Sequence, residues 1–184
     1  MEYIKLNDLP IQFDVFQIEN VINNTESFKY YSPKNDNDGL FYYKAPEDIV
    51  NIVKAALPIE LQDSPVDLCK IYKGALPHKD HDCLCKLNFY LKSGDAKTIF
   101  FEDPVAGGYS YHGDSRSNMF DIRKDRLKRT TMFVANDGDT YLLNTSKIHA
   151  VTMENENTRI IVSVSFNRSF EEVSQYFLNG QQKI

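Results

Sequence analysis

A series of short strand patterns between residues 66 and 167 constrains the fold more than any other feature of this chain. Each pattern is rich in β-branched or aromatic residues and is bounded by turn-forming residues. Many short strands separated by turns are typical of a sandwich or a barrel. The predicted strands cover residues 66–73, 83–92, 98–102, 131–135, 140–143, 148–153 and 159–167.

Two helices are predicted beside these strands. The first covers residues 46–57, because acidic residues occupy its first turn, apolar residues recur at helical spacing and Pro58 ends it. The second covers residues 169–178 and begins at Ser169, a residue type that caps helices well. We expect both helices to flank the strands, and we expect residues 1–44 to form a strand-rich approach to the core.

The chain is long enough for one domain that encloses a cavity. It has 184 residues, of which 42% are hydrophobic. We therefore predict a single domain over residues 1–184, with its core at about 66–167 and an insertion at about 104–129. Such insertions are often lids or binding loops. Four side chains of the insertion are candidates for contacting a small molecule or a peptide: Tyr109, Tyr111, Arg116 and Arg123.

Charge and hydropathy exclude several classes of function. The formal net charge is -5 and no long block of lysine and arginine occurs, so a nucleic-acid partner held through its phosphates is not expected. No apolar stretch resembles a secretion signal or approaches the length of a membrane span. These observations predict a soluble, cytoplasmic protein without a membrane partner.

The three cysteines fit a reducing compartment. Their odd number does not suit a disulfide framework. Cys83 and Cys85 can chelate a soft metal, but strand alternation would place both on one face with the apolar Leu87 and Phe89. Buried free cysteines behave as small hydrophobic residues. We therefore interpret them, together with Cys69, as inert core residues.

His78, Asp80 and the distant His149 are the candidate metal ligands. His78 and Asp80 are separated by one residue, so both project from the same face of an extended strand. A second strand carrying His149 can add the third ligand. Two imidazoles and one carboxylate form the facial triad of non-haem Fe(II) sites, which leaves coordination positions open for substrate chemistry.

Arg159 opens an otherwise apolar, β-branched strand. A buried guanidinium without a partner is unfavourable, and it matches a carboxylate through two hydrogen bonds. If its strand forms a hairpin with that of His149, a dicarboxylic acid can chelate iron at one end and bind Arg159 at the other. That cosubstrate would be 2-oxoglutarate. The alternative is an arginine that reaches water or pairs with Glu154 or Glu156.

The order His78-x-Asp80, His149, Arg159 resembles the signature of the Fe(II)/2-oxoglutarate-dependent oxygenases. The resemblance implies a mainly β fold with flanking helices, namely the double-stranded β-helix, a cupin-like jelly roll. It also implies that the triad binds iron and that Arg159 pairs with the distal carboxylate of 2-oxoglutarate. The similarity covers about residues 69–166, and its further segments are residues 87–91 and 138–145.

The resemblance adds three further candidates for cosubstrate binding. Tyr72 and Asn88 are on strands expected to flank the metal strand, and each can equally be a structural hydrogen-bonding residue. Ser163 shares a strand face with Arg159 and can steady the guanidinium or the bound carboxylate.

Two other histidines are weaker candidates, and one ligand excludes a related chemistry. His81 offers a rival ligand register, but alternation points it away from the face of His78 and Asp80. His112 lies in the insertion, where it can approach a substrate. Asp80 argues against a halogenase, since related halogenases have a small residue in place of the carboxylate.

The resemblance therefore implies a dioxygenase that uses O2 and 2-oxoglutarate and releases succinate and CO2. Hydroxylation of a C–H bond, in a small molecule or a protein side chain, is the expected outcome. A non-catalytic jelly-roll binding or structural protein is one alternative. A cupin-type metalloenzyme that does not use 2-oxoglutarate is another, and it is expected to leave Arg159 without a task.

Overall fold

The structure is a computed structural model that describes residues 1–7, 9, 11–24, 29–31, 39–80, 82–104, 117–120, 126–155 and 157–180. Within these residues it has twelve strands and three α-helices. The strands are β1 (Tyr3–Leu6), β2 (Lys29–Tyr31), β3 (Leu40–Lys44), β4 (Val66–Ile71), β5 (Ala75–Asp80), β6 (Cys85–Lys92), β7 (Lys97–Phe101), β8 (Ser117–Met119), β9 (Arg129–Val134), β10 (Thr140–Leu143), β11 (His149–Thr152) and β12 (Arg159–Phe166). The helices are α1 (Val15–Asn24), α2 (Glu47–Ala56) and α3 (Phe170–Gly180), and a 3-10 turn covers Ile59–Leu61.

The strands form two antiparallel sheets. The seven-stranded sheet has the order β1-β10-β6-β12-β4-β3-β2, and the five-stranded sheet has the order β8-β5-β11-β7-β9. From β4 to β7, and again from β9 to β12, consecutive strands alternate between the two sheets. This is the double-stranded β-helix, or jelly roll, so the predicted fold class is confirmed.

The main core lies between the seven-stranded sheet and the helices. Ile18, Val53 and Val173, one from each helix, are completely buried in the same cluster as Leu87 of β6 and Val162 of β12. Every second residue of these strands therefore faces the helices, because strand side chains alternate. The opposite face of the sheet is turned toward the five-stranded sheet, where a smaller aromatic cluster and a cavity lie.

The predicted strands and both predicted helices are present, but one helix was missed. Residues 1–44 were expected to be strand-rich, and they contain β1, β2 and β3, but α1 lies between β1 and β2. Its start is marked by Asp14, whose Oδ1 accepts a hydrogen bond from the Gln17 backbone N–H at 3.1 Å. At α3, the Ser169 hydroxyl accepts a hydrogen bond from the Glu172 N–H at 3.1 Å, which confirms the predicted cap. No helix in the described residues is long and apolar enough to cross a membrane.

Most of the predicted insertion lies outside the described residues. Its described part includes β8, which pairs with β5. The prediction that the insertion is a lid or binding loop therefore stays a prediction. The same holds for the residues proposed within it: Tyr109, Tyr111, His112, Arg116 and Arg123.

Candidate metal centre

Two adjacent strands of the five-stranded sheet bring His78, Asp80 and His149 together. His78 on β5 is directly opposite His149 on β11, and their ring centroids are 4.3 Å apart. Asp80 follows two residues after His78. One ligand atom from each of the three residues lies within 4.8 Å of the other two. The three side chains are buried, so the structure assembles the constellation that the sequence spacing predicts.

The turn before β5 sets the position of this ligand strand. Gly74 has a φ of +106°, a conformation that L-residues rarely adopt. A Cβ atom at this position would lie 2.5 Å from the backbone oxygen of Val151 on β11. The glycine therefore allows β5 to approach β11 closely, which places His78 opposite His149.

Backbone carbonyls orient both imidazoles. His78 Nδ1 lies 2.6 Å from the Leu76 oxygen, and His149 Nδ1 lies 3.0 Å from the Lys147 oxygen. Because a carbonyl oxygen can only accept, Nδ1 of each histidine carries a proton. Burial, followed by the nearby His78, lowers the pKa of His149 to about 4. His149 is therefore a neutral donor near neutral pH, as metal binding requires.

The carboxylate of Asp80 is held by a buried lysine that the sequence analysis missed. Lys86 Nζ lies 2.8 Å from Asp80 Oδ2 and donates a hydrogen bond to the Tyr42 hydroxyl at 3.0 Å. Burial raises the pKa of Asp80, but Lys86 and the two imidazoles outweigh it, so the net pKa is lowered. Burial lowers the pKa of Lys86, whereas Asp80 raises it well above its usual range. The two groups form a buried ion pair.

Arg159 is completely buried in the same cavity. Its Nε donates to the Ser93 oxygen at 3.1 Å and one terminal nitrogen donates to Thr98 Oγ1 at 2.9 Å. The other terminal nitrogen donates to the Ala96 oxygen, and the Tyr90 ring centre is 5.1 Å from Cζ. A guanidinium has five N–H groups, so these three hydrogen bonds leave two N–H groups without a partner among the described residues.

The expected alternative partners of Arg159 are not supported within the described residues. Glu154 pairs with Lys97 instead, so the interpretation that Glu154 neutralises Arg159 is wrong. Glu156 lies outside the described residues. In the part of the chain that the structure describes, no carboxylate pairs with this guanidinium.

The predicted hairpin between the strands of His149 and Arg159 is wrong. β11 pairs with β5 and β7, whereas β12 pairs with β4 and β6 in the other sheet. The reason is that successive strands of this fold alternate between the sheets. Arg159 therefore reaches the cavity from the sheet opposite the three candidate ligands.

The structure brings Asn88 and Ser163 to the cavity but not Tyr72. The cavity has a volume of about 50 Å³, and its lining includes Asn88 and Ser163, whose Oγ donates to Asn88 Oδ1 at 2.7 Å. Tyr72 follows β4 and stacks on Phe41 with ring centroids 5.4 Å apart. The expectation that the strands of Tyr72 and Asn88 flank the metal strand is wrong, since β8 and β11 flank β5. Cosubstrate contacts by these residues stay predictions.

Cys83 and Cys85 do not share one face of the sheet. Cys85 begins β6 and lies in the core beneath the helices. Cys83 precedes the strand, and its Sγ lies 3.5 Å from Asp80 Oδ2. Burial raises the pKa of each thiol to about 12, so both are protonated near neutral pH.

His81, the rival ligand, lies outside the described residues.

Comparison with known proteins identifies the fold. No protein-family model matches this chain, and no curated protein matches it by sequence. The epimerase SnoN, solved with Fe3+, alpha-ketoglutarate and nogalamycin RO, is 9% identical, with a TM-score of 0.52 over 89% of this chain and 77% of SnoN. The non-haem alpha-ketoglutarate-dependent carbocyclase SnoK from nogalamycin biosynthesis is 11% identical, with a TM-score of 0.50 over 89% of this chain and 78% of SnoK. The chain therefore has a cupin-type jelly-roll fold similar to that of these enzymes.

Proposed function

We propose that this protein is an Fe(II)- and 2-oxoglutarate-dependent oxygenase that hydroxylates a C–H bond of a small molecule or a protein side chain. One observation carries the proposal. One cavity is lined by the converging side chains of His78, Asp80 and His149 together with the buried guanidinium of Arg159.

The residues of the cavity fit both Fe(II) and 2-oxoglutarate. Two imidazoles and one carboxylate are the donors of a facial triad for Fe(II). The Nδ1–H hydrogen bonds of the two histidines match the outer-shell contacts that orient metal-binding imidazoles. The two remaining N–H groups of Arg159 suit a carboxylate oxygen of 2-oxoglutarate.

Each part of the chain has a task in the proposed reaction. His78, Asp80 and His149 would hold Fe(II), which supplies oxidative chemistry with O2 and 2-oxoglutarate and leads to succinate, CO2 and a hydroxylated substrate. Arg159 would bind the distal carboxylate of the cosubstrate. Apolar side chains of the lining, including Ile71 and Val151, would limit the access of water.

The proposal also includes one domain and a cytoplasmic location. Strand pairing joins β1 near the start of the described chain to β10 far along it, which supports a single structural unit. The three cysteines are free thiols, which supports a reducing compartment. The domain count and the location are independent of the proposed oxygenase reaction.

A second candidate is a cupin-type metalloenzyme that does not use 2-oxoglutarate. Arg159 was expected to have no task in such a protein, and that expectation is wrong. Its three hydrogen bonds tie β12 to the connection between β6 and β7 and to Thr98. A structural role for the guanidinium is therefore compatible with a metal site alone.

Anaerobic titration of the protein with Fe(II) and 2-oxoglutarate distinguishes these two candidate functions. We expect a visible metal-to-ligand charge-transfer band in the wild type, and succinate formation after O2 and a substrate are added. Arg159→Met should weaken 2-oxoglutarate binding by about tenfold or more and retain Fe(II) binding. Arg168→Met is the matched control, because Arg168 is partly exposed, lies outside the cavity lining and pairs with Glu172.

Each other outcome selects a different function. Fe(II) binding without any 2-oxoglutarate band would favour the second candidate. Absence of Fe(II) binding in the wild type, or identical behaviour of wild type and Asp80→Ala, would favour a non-catalytic jelly-roll protein.

A further inference from the structure

Lys86 is a charged residue in the cavity that a facial triad does not require. It lies on β6, between two residues of the helix-side core, and its side chain is directed to the opposite face of the sheet. Only 8% of the residue is exposed. A buried ammonium needs a specific partner, and its closest one is Asp80.

The two oxygens of Asp80 have different neighbours. Oδ1 lies 3.6 Å from Nε2 of His78, on the side of the imidazoles. Oδ2 lies 2.8 Å from Lys86 Nζ and 3.5 Å from Cys83 Sγ. The carboxylate therefore presents one oxygen to the candidate metal position and has the other engaged by a cation.

The charge of Lys86 also bears on metal affinity. The ammonium also contacts the Tyr42 hydroxyl, which is uncharged because burial raises the pKa of Tyr42. The site thus offers a divalent cation two imidazoles and a carboxylate whose charge Lys86 already offsets. Cation–cation repulsion inside a protein falls off slowly with distance, so it opposes metal binding directly.

We propose that Lys86 is a positioning residue that restricts Asp80 to one coordinating oxygen and keeps the affinity of the site for a divalent cation low until a dianion joins it. This inference rests on the proposed function. The dianion, 2-oxoglutarate, brings the negative charge that Lys86 removes from Asp80. Metal and cosubstrate binding are therefore coupled through this lysine, and the coupling is reciprocal.

Titration of the metal-free protein with Mn(II) tests the inference. Free Mn(II) is followed by electron paramagnetic resonance, with and without saturating 2-oxoglutarate. Lys86→Met should tighten Mn(II) binding in the absence of 2-oxoglutarate by about tenfold or more. The factor by which 2-oxoglutarate tightens Mn(II) binding should be smaller in the variant than in the wild type.

Two further variants complete the experiment. Lys86→Gln keeps a hydrogen-bond donor without the charge, so it should also tighten Mn(II) binding. It serves as the test variant if Lys86→Met does not fold. Lys79→Met is the matched control, because Lys79 lies on the ligand strand but pairs with the half-exposed Asp103. It should leave the Mn(II) dissociation constant within about twofold of the wild type.

The results separate this inference from the proposed function. If the wild type binds Mn(II) and 2-oxoglutarate, and the Lys86 variants bind Mn(II) no more tightly, the role of Lys86 is wrong and the proposed function stands. If the wild type binds no Mn(II), even with 2-oxoglutarate, both are wrong.

Discussion

The two faces of the seven-stranded sheet use the same strands for different purposes. Leu87 and Val162 face the helices and are completely buried in an apolar core. Their neighbours Lys86 and Ser163 face the cavity and carry a charge and a hydroxyl. A single backbone therefore positions both sets, and strand alternation separates them. The face toward the helices stabilises the fold. The face toward the cavity contributes polar groups whose burial is unfavourable unless they are paired.

The two sheets also divide the candidate site between them. The five-stranded sheet contributes the three candidate ligands, and the seven-stranded sheet contributes the two cations, Lys86 and Arg159. The site therefore depends on the packing of the sheets against each other. Substitutions on the face toward the helices should change stability without changing the site, whereas loss of a candidate ligand in the cavity should change metal binding.

Leu87→Ala should have the largest effect, and on stability alone. Removing a completely buried leucine side chain leaves a cavity and should lower the free energy of unfolding by about 2–5 kcal/mol. Urea unfolding measures this, and Leu84→Ala is the control because that leucine is 41% exposed. The Mn(II) affinity of the folded variant should equal that of the wild type. A fall in metal affinity alongside stability would show that the two faces are coupled.

His149→Ala should have the next largest effect, on metal binding. Loss of an outer-shell contact commonly weakens metal binding by 10–100-fold, so loss of a ligand should weaken it by about a hundredfold or more. Isothermal titration with Mn(II) measures the change, and a native far-ultraviolet circular dichroism spectrum shows that the fold is kept. Wild-type affinity in this variant would remove His149 from the site.

Acid should destabilise the metal-free protein because it protonates His149 in the cavity. The pKa of His149 is about 4 in the fold, against an ordinary value of 6.5, so the unfolded chain binds more protons between these values. Its contribution to stability is complete above pH 6.5 and is lost as the pH falls toward 4, with a slope of up to about 1.4 kcal/mol per pH unit. Urea unfolding at a series of pH values measures this slope.

The matched variant for the acid experiment is His149→Gln, which should lack this part of the slope. Asp80 acts in a lower window, because its pKa is depressed below the ordinary 3.8 and its contribution is lost below that value. An unchanged slope in His149→Gln would assign the acid sensitivity to other groups.

Ser163→Ala should have the smallest effect of the series. It removes one buried hydrogen bond to Asn88 and should lower the free energy of unfolding by about 1 kcal/mol. Metal affinity should be unchanged, since neither residue is among the three candidate ligands. Urea unfolding of Ser163→Ala and Leu87→Ala under the same conditions compares the two losses in the free energy of unfolding. Equal losses would contradict this prediction.

The sequence was most informative where a local rule decides the structure. The spacing of His78 and Asp80, strand alternation, and the cap at Ser169 each depend on a few neighbouring residues. Helix α1 follows similar rules, because Asp14 caps it and Ile18 and Ile22 recur at helical spacing. It could have been predicted from the same signals.

Two features of the site could not be read from local rules. The sheet that carries Arg159 depends on how strands far apart in the chain are wound, so a hairpin with the strand of His149 was a reasonable but wrong expectation. The partner of Lys86, Asp80, is near it in the chain but belongs to the other sheet, although a lysine between two apolar residues of a strand is a signal of a buried charge. Such a residue indicates that a partner exists without indicating which one.

Anomalous diffraction at the iron absorption edge, from crystals grown anaerobically with Fe(II), is the most direct test of the central claim. We predict one anomalous peak within coordination distance of Nε2 of His78, Nε2 of His149 and Oδ1 of Asp80, with Lys86 still bonded to Oδ2. No peak in the cavity, or a peak that does not contact these three side chains, would contradict the account.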